Sequence, residues 1–82
     1  MEVIITPKAQ KQLKHLSSAA YMKIKKKLLM VKQEPYSGKK LEGELSELRV
    51  LRAWPYRILY YINLQDQNIY ITSILHRQGA YK

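Results

Sequence analysis

The chain predicts an α+β fold in the order β-α-α-β-β-β, with an N-terminal helical hairpin packed on one face of an antiparallel sheet. Three observations predict it. As far as Pro35 the apolar residues recur at helical spacing, and from Glu47 onward the period shortens to that of strands. Segregated helices followed by strands form a helix layer on an antiparallel sheet. The elements fit within residues 1–82 as one small domain, with no repeat, linker or low-complexity segment.

The first element is "EVIIT" (2–6), a short β-branched run. Thr6-Pro7 then starts a helix, with a hydroxyl N-cap and proline at the first helical position. Ala9, Leu13 and Leu16 fall on one face of it. Ser17 and Ser18 interrupt that pattern and can cap a second helix, in which Tyr21, Ile24, Leu28 and Val31 form the stripe and Pro35 marks the end. "YSGKKLEGELS" (36–46) holds two of the three glycines and no sustained pattern, so it reads as a loop. "ELRVLRA" and "YRILYYIN" are two strands joined by a tight turn at Trp54-Pro55. "LQDQN" is a second turn, and "IYITSILH" (69–76) the last strand. Strand 1 pairs within this sheet, because alone it would leave backbone groups unsatisfied.

Composition narrows the function. The net charge is +9 on 82 residues, which points to a polyanionic or acidic partner. Residues 1–40 carry ten lysines against Glu2 and Glu34, a net +8. All four arginines lie beyond them, set among apolar and aromatic residues. Without cysteine there is no disulfide or thiolate metal site, and His15 and His76 have no metal-ligand spacing. No stretch approaches the ~20 apolar residues of a membrane span, and the N-terminus lacks a signal-peptide pattern. A cytoplasmic protein without cofactor, metal or membrane contact is the expectation.

Alternation in "YRILYYIN" places Arg57, Leu59 and Tyr61 on one sheet face and Tyr56, Ile58, Tyr60 and Ile62 on the other, under the helices. Arg57 then points to the face left open. Arginine suits that place, because its planar fork makes paired hydrogen bonds to a phosphate. Arg49, Arg52 and Arg77 converge there if their strands neighbour that of Arg57. Each could instead pair with Glu42, Glu44, Glu47 or Asp66, but four arginines around one sheet favour an anionic ligand. His76 adjoins Arg77, and imidazole titrates near neutrality, as a general acid or base requires. Tyr81 offers a phenol that donates a proton or stacks on a base; it could also cover a core edge. Lys25, Lys26 and Lys27 read as a solvated helix surface that adds diffuse attraction, and Trp54 as a packed turn unless exposed for stacking. The carboxylates do not cluster as a magnesium site would require. Any chemistry is then metal-free.

The leading strand, the basic helical hairpin, "KKLEGELSELRVLRAWPYRILYYIN" and the closing "ILHRQGAY" together resemble the RelE/ParE superfamily of toxin–antitoxin toxins, over nearly the whole chain. The resemblance implies a compact toxin neutralised by a cognate, RelB-like antitoxin. It implies either of two activities. The RelE branch comprises ribosome-dependent endoribonucleases that cut mRNA in the A site; the ParE branch poisons DNA gyrase and is not a nuclease. The ending His76-Arg77 with Tyr81 resembles the RelE branch more. Carried over, Arg57 matches the arginine at the scissile phosphate, Arg77 a second active-site arginine, Tyr81 the C-terminal tyrosine and Arg52 a further basic position. His76 falls where related toxins often carry a base. The RelE branch has two lysines on the strand before "YR", where this chain has Leu48 and Val50. Arg49, Lys39 or Lys40 are the residues that could replace them, and Lys25 and Lys26 would add contacts to ribosomal RNA.

Overall fold

The computed structural model describes residues 1–41 and 47–77. In chain order it contains β1 (Glu2–Ile5), α1 (Pro7–Lys14), α2 (Ser18–Gln33), β2 (Lys39–Lys40), β3 (Arg49–Ala53), β4 (Tyr56–Asn63) and β5 (Asn68–His76). The strands form one sheet in the order β1-β5-β4-β3-β2. The α+β class and the helical hairpin are as expected, with two differences. Lys39–Lys40, inside the expected loop, pairs antiparallel with β3; two residues are too few to show a period. The sheet is also mixed rather than wholly antiparallel, because β1 runs parallel to β5. Hairpins force antiparallel pairing only on strands adjacent in sequence, whereas the long stretch between β1 and β5 supplies the crossover a parallel pair needs.

Both helix starts form where the local chemistry predicts. The Thr6 hydroxyl accepts from the Ala9 amide at 3.5 Å, with Pro7 opening α1, and the Ser17 hydroxyl accepts from Ala20 at 3.2 Å. Thr6 also donates its hydroxyl to the Ile71 carbonyl at 2.7 Å. Beyond Ile71, β1 no longer accompanies β5, and α1 takes over that edge: Gln12 Oε1 accepts from the Ile74 amide at 2.6 Å. Thr6→Ala therefore removes a cap and an anchor together. It is expected to cost about 1–2 kcal/mol, read as a lower urea midpoint; a wild-type midpoint would contradict this.

The core lies between the helices and one sheet face. Ala9, Leu13, Ile24, Leu28 and Val31 meet Ala53, Ile58, Tyr60, Ile69, Ile71 and Ile74, with Tyr56 and Ile62 packed at the margin. The β4 alternation is therefore as read. Tyr21 departs from its expected place in the stripe. It is exposed at the rim of an apolar groove between the helices and β1, with the Lys25 ammonium 5.6 Å from its ring. No helix among the described residues is long and apolar enough to cross a membrane.

A bulge interrupts β5. Leu59 pairs with Ser73 but Tyr60 with Ile71, so Thr72 is the extra residue, its hydroxyl donating to the Leu59 carbonyl at 3.1 Å. A bulge re-aims the side chains that follow it. Strict alternation would put Ile71 and Ile74 on opposite faces; with Thr72 extra, both enter the core.

Candidate functional site

Residues directly opposite in paired strands share a face, so the register assigns each candidate. Arg52 stands opposite Arg57 on the face away from the helices. On the same face Lys39 is opposite Val50, and Val50 opposite Leu59. Leu59 and Ser73 are buried at its centre, flanked by exposed Arg52 and half-buried Arg57. Like charges directly opposed on a sheet are destabilising. The register thus sets two arginines at opposed backbone positions on one face, an arrangement compatible with an anion between them. On this face the neutral β3 position Val50 has Lys39 beside it on β2.

Other candidates fall elsewhere. Arg49 pairs with Tyr60 and so faces the helix side. Its guanidinium donates to the carbonyls of Gly38 at 2.9 Å and Tyr36 at 3.4 Å and lies 5.0 Å from the Tyr36 ring centre. Arg49 thus secures the α2–β2 connection, and Lys40, opposite it, stands on that side too. The spacing of 49 and 52 carried this signal, since residues three apart on a regular strand point opposite ways. Lys25 and Lys26 are exposed on α2, in the helix layer and across the sheet from Arg57.

His76 is the more consequential case. It pairs with Tyr56, the two rings meeting edge to face at 5.4 Å, whereas Leu75 pairs with Arg57. The Thr72 bulge has moved His76 to the helix side, at the exposed end of β5. Arg77 follows immediately, its amide donating to the Pro55 carbonyl at 2.8 Å and its guanidinium 5.0 Å from the centre of the Trp54 ring. Tyr81 lies outside the described residues, as do Glu42 and Glu44.

Of the two sequence readings of the turn, the exposed one holds. Trp54 is exposed rather than packed, and the Lys23 ammonium donates to its carbonyl at 2.8 Å. Farther along the Arg57 face, Tyr61 stacks on Tyr70 at 5.2 Å with the planes 11° apart. The Tyr70 hydroxyl donates to the Asp66 carboxylate. That hydrogen bond, followed by desolvation and the carboxylate charge, raises the Tyr70 phenol above its ordinary value. The neutral phenol is thereby favoured in the folded state; the associated stabilisation is complete below pH 10 and is lost as the pH rises through the raised value.

Comparison with known proteins agrees with this architecture. Solved structures like it include the toxin–antitoxin complex RelBE2 from Mycobacterium tuberculosis, with 27% identity, 93% of this chain and 96% of that one covered, and a TM-score of 0.84. The archaeal RelE–RelB complex from Pyrococcus horikoshii shares 28% identity over 96% of this chain and 97% of that one, at a TM-score of 0.74. A YoeB/ParE toxin from Agrobacterium tumefaciens, at 15% identity, shares the fold alone, with 93% and 98% coverage and a TM-score of 0.80. No curated protein matches the chain. The family model described as the ParE toxin of type II toxin–antitoxin systems matches residues 3–81. With the sheet order and the helical hairpin in place, that match makes the chain a member of the ParE toxin family, within the RelE/ParE superfamily of type II toxin–antitoxin toxins.

Proposed function

We propose that this toxin is an endoribonuclease that cuts mRNA in the ribosomal A site and is held inactive by a RelB-like antitoxin. The single observation that carries the reading is the opposed pair Arg52 and Arg57 on the face away from the helices. In the proposed reaction the 2′-oxygen of one nucleotide forms a bond to the adjacent phosphorus as the bond to the 5′-oxygen breaks. The products are a 2′,3′-cyclic phosphate and a 5′-hydroxyl. One proton leaves the attacking hydroxyl and one is delivered to the leaving oxygen. Arg57 and Arg52 offer in-plane N–H groups to the non-bridging oxygens, whose charge grows in the transition state; a preorganised donor in such a place is worth roughly 3–4 kcal/mol. Arg77 joins from the adjacent end of β5. Lysines of the helix layer add sequence-independent attraction to ribosomal RNA, so association weakens steeply with salt. Purified protein added to programmed ribosomes with an end-labelled message tests the reading: cuts at codon-defined positions support it, and an intact message at every concentration rejects it.

Of the two candidate proton carriers, His76 lies with Tyr56 on the side away from Arg57, and we assign the larger part to Tyr81. Tyr81→Phe is therefore expected to slow cleavage by about 10²-fold or more, the usual effect of losing a general acid or base. His76→Ala is expected to slow it by about tenfold or less. The reverse order in single-turnover rates would transfer the role to His76.

A second reading has its own support. The matching family model is described as a ParE toxin, and Leu48, just before β3, and Val50, within it, stand where the RelE branch has lysines. On that reading the protein inhibits DNA gyrase by binding it. Loss of supercoiling in vitro with the message intact would select it.

A further inference from the structure

Trp54 is the chain's single tryptophan, and it is 60% exposed although large aromatic side chains are normally well buried. Its backbone is not loose. Lys23 holds its carbonyl from α2, and the Arg77 amide holds the next carbonyl, that of Pro55. The Arg77 guanidinium lies over the ring, 5.0 Å from its centre. A guanidinium that stacks flat on an indole keeps its in-plane N–H groups directed outward. Trp54 is two residues beyond Arg52, and Arg77 two beyond Leu75, the partner of Arg57. The stacked pair therefore stands at the end of the row that Arg52 and Arg57 begin.

We infer that Trp54 and Arg77 form a binding step for one nucleotide of a single-stranded RNA: Arg77 takes a phosphate through its N–H edge, and the exposed indole stacks on the neighbouring base. This rests on the RNA reading above and adds a residue that the reading does not use. The chemistry favours a nucleic acid over a protein partner. An exposed flat ring with a cation fixed against it, in a chain of net charge +9, offers adjacent positions for a base and a phosphate. A neighbouring phosphate of the strand would then meet the Arg52–Arg57 pair, whose backbone positions lie next along the same strands. Rigidity contributes as well, because an indole already held in place loses little freedom when a base stacks on it.

Because Trp54 is the only tryptophan, its emission reports this site alone. The experiment titrates the full chain with a short single-stranded RNA, 2′-O-methylated so that it cannot be cut, and with an abasic oligomer of equal length and charge. The RNA is expected to quench Trp54 emission, and the abasic oligomer to leave it nearly unchanged. In anisotropy with labelled RNA, Trp54→Ala is expected to weaken binding about tenfold or more, and Trp54→Phe, which keeps an aromatic face, by about threefold or less. Equal quenching by the abasic oligomer, no change of emission or no binding at high RNA concentration, or unaltered RNA affinity in Trp54→Ala each overturns the inference. Quenching by a gyrase subunit but not by RNA overturns it in favour of a protein partner. The nuclease reading fails separately: base-dependent quenching with an uncut message on programmed ribosomes sinks that reading and leaves the binding step standing.

Discussion

On the proposed nuclease reading, replacing Arg57 by alanine is expected to lower the rate of message cleavage on programmed ribosomes by about 10²–10³-fold, the usual effect of removing one preorganised donor from a developing oxyanion. The expectation follows from position. Arg57 is on β4, between β3 and β5, with Arg52 directly opposite it. Strand pairing on both sides fixes the backbone from which its fork projects, whereas Arg52 is exposed and so freer to move. Arg52→Ala is therefore expected to have the smaller effect. Arg57→Lys should recover little, because an ammonium is a point charge and cannot make two parallel bonds to a phosphate. Arg57 stands outside the core cluster, so its alanine variant should retain a cooperative thermal melt. A folded Arg57→Ala protein that cuts at the wild-type rate would remove Arg57 from the reaction and the main support from the nuclease reading.

The largest effect on stability is expected at Tyr60. Its ring is wholly buried, and its hydroxyl donates to the Pro35 carbonyl at 2.8 Å while accepting from the Gly38 amide at 2.9 Å. Tyr60→Ala empties the centre of the core and unpairs both backbone groups. Truncating a buried aromatic costs about 3–5 kcal/mol, against a total of about 5–15 kcal/mol for small domains. A domain of this size sits toward the lower end, so the variant should be largely unfolded at room temperature. Tyr60→Phe keeps the ring and loses only the hydroxyl, for about 1–3 kcal/mol. Gly38 is bound to the same feature: an added Cβ would lie 2.8 Å from Tyr60 Cε1 and 2.9 Å from Cζ. Since these are ring atoms, Gly38→Ala is expected to remain destabilising in the Tyr60→Phe background. Urea unfolding followed by circular dichroism measures all three variants; a wild-type midpoint for Tyr60→Ala would contradict the assignment. Gly38 leads directly into Lys39 on the Arg57 face.

These two residues show different degrees of legibility. The burial of Tyr60 and the outward direction of Arg57 followed from the alternation in "YRILYYIN". That Tyr60 reaches across to Pro35 and Gly38, or that Arg57 faces Arg52, depends on chain segments brought together by folding. Arg49 was expected beside Arg52 and Arg57 and lies on the opposite face, although its odd separation from Arg52 carried that signal. Its actual partners, the carbonyls of Tyr36 and Gly38, carry no side-chain signal in the sequence.

By itself the sequence determined whatever arises between near neighbours: the Thr6 and Ser17 caps, the helical stripes, the β4 faces and the order of the elements. Those features rest on steric and hydrogen-bonding preferences spanning a few residues, and such preferences leave a periodic or positional mark. Only the tertiary structure decided the parallel seat of β1, the short β2, the bulge at Thr72 that turns His76 from Arg57, and the exposure of Trp54 under Arg77. Each depends on register between segments far apart in the chain. Backbone hydrogen bonding is the same for every side chain, so a shift of one residue leaves no local trace while reversing the face of every side chain beyond it.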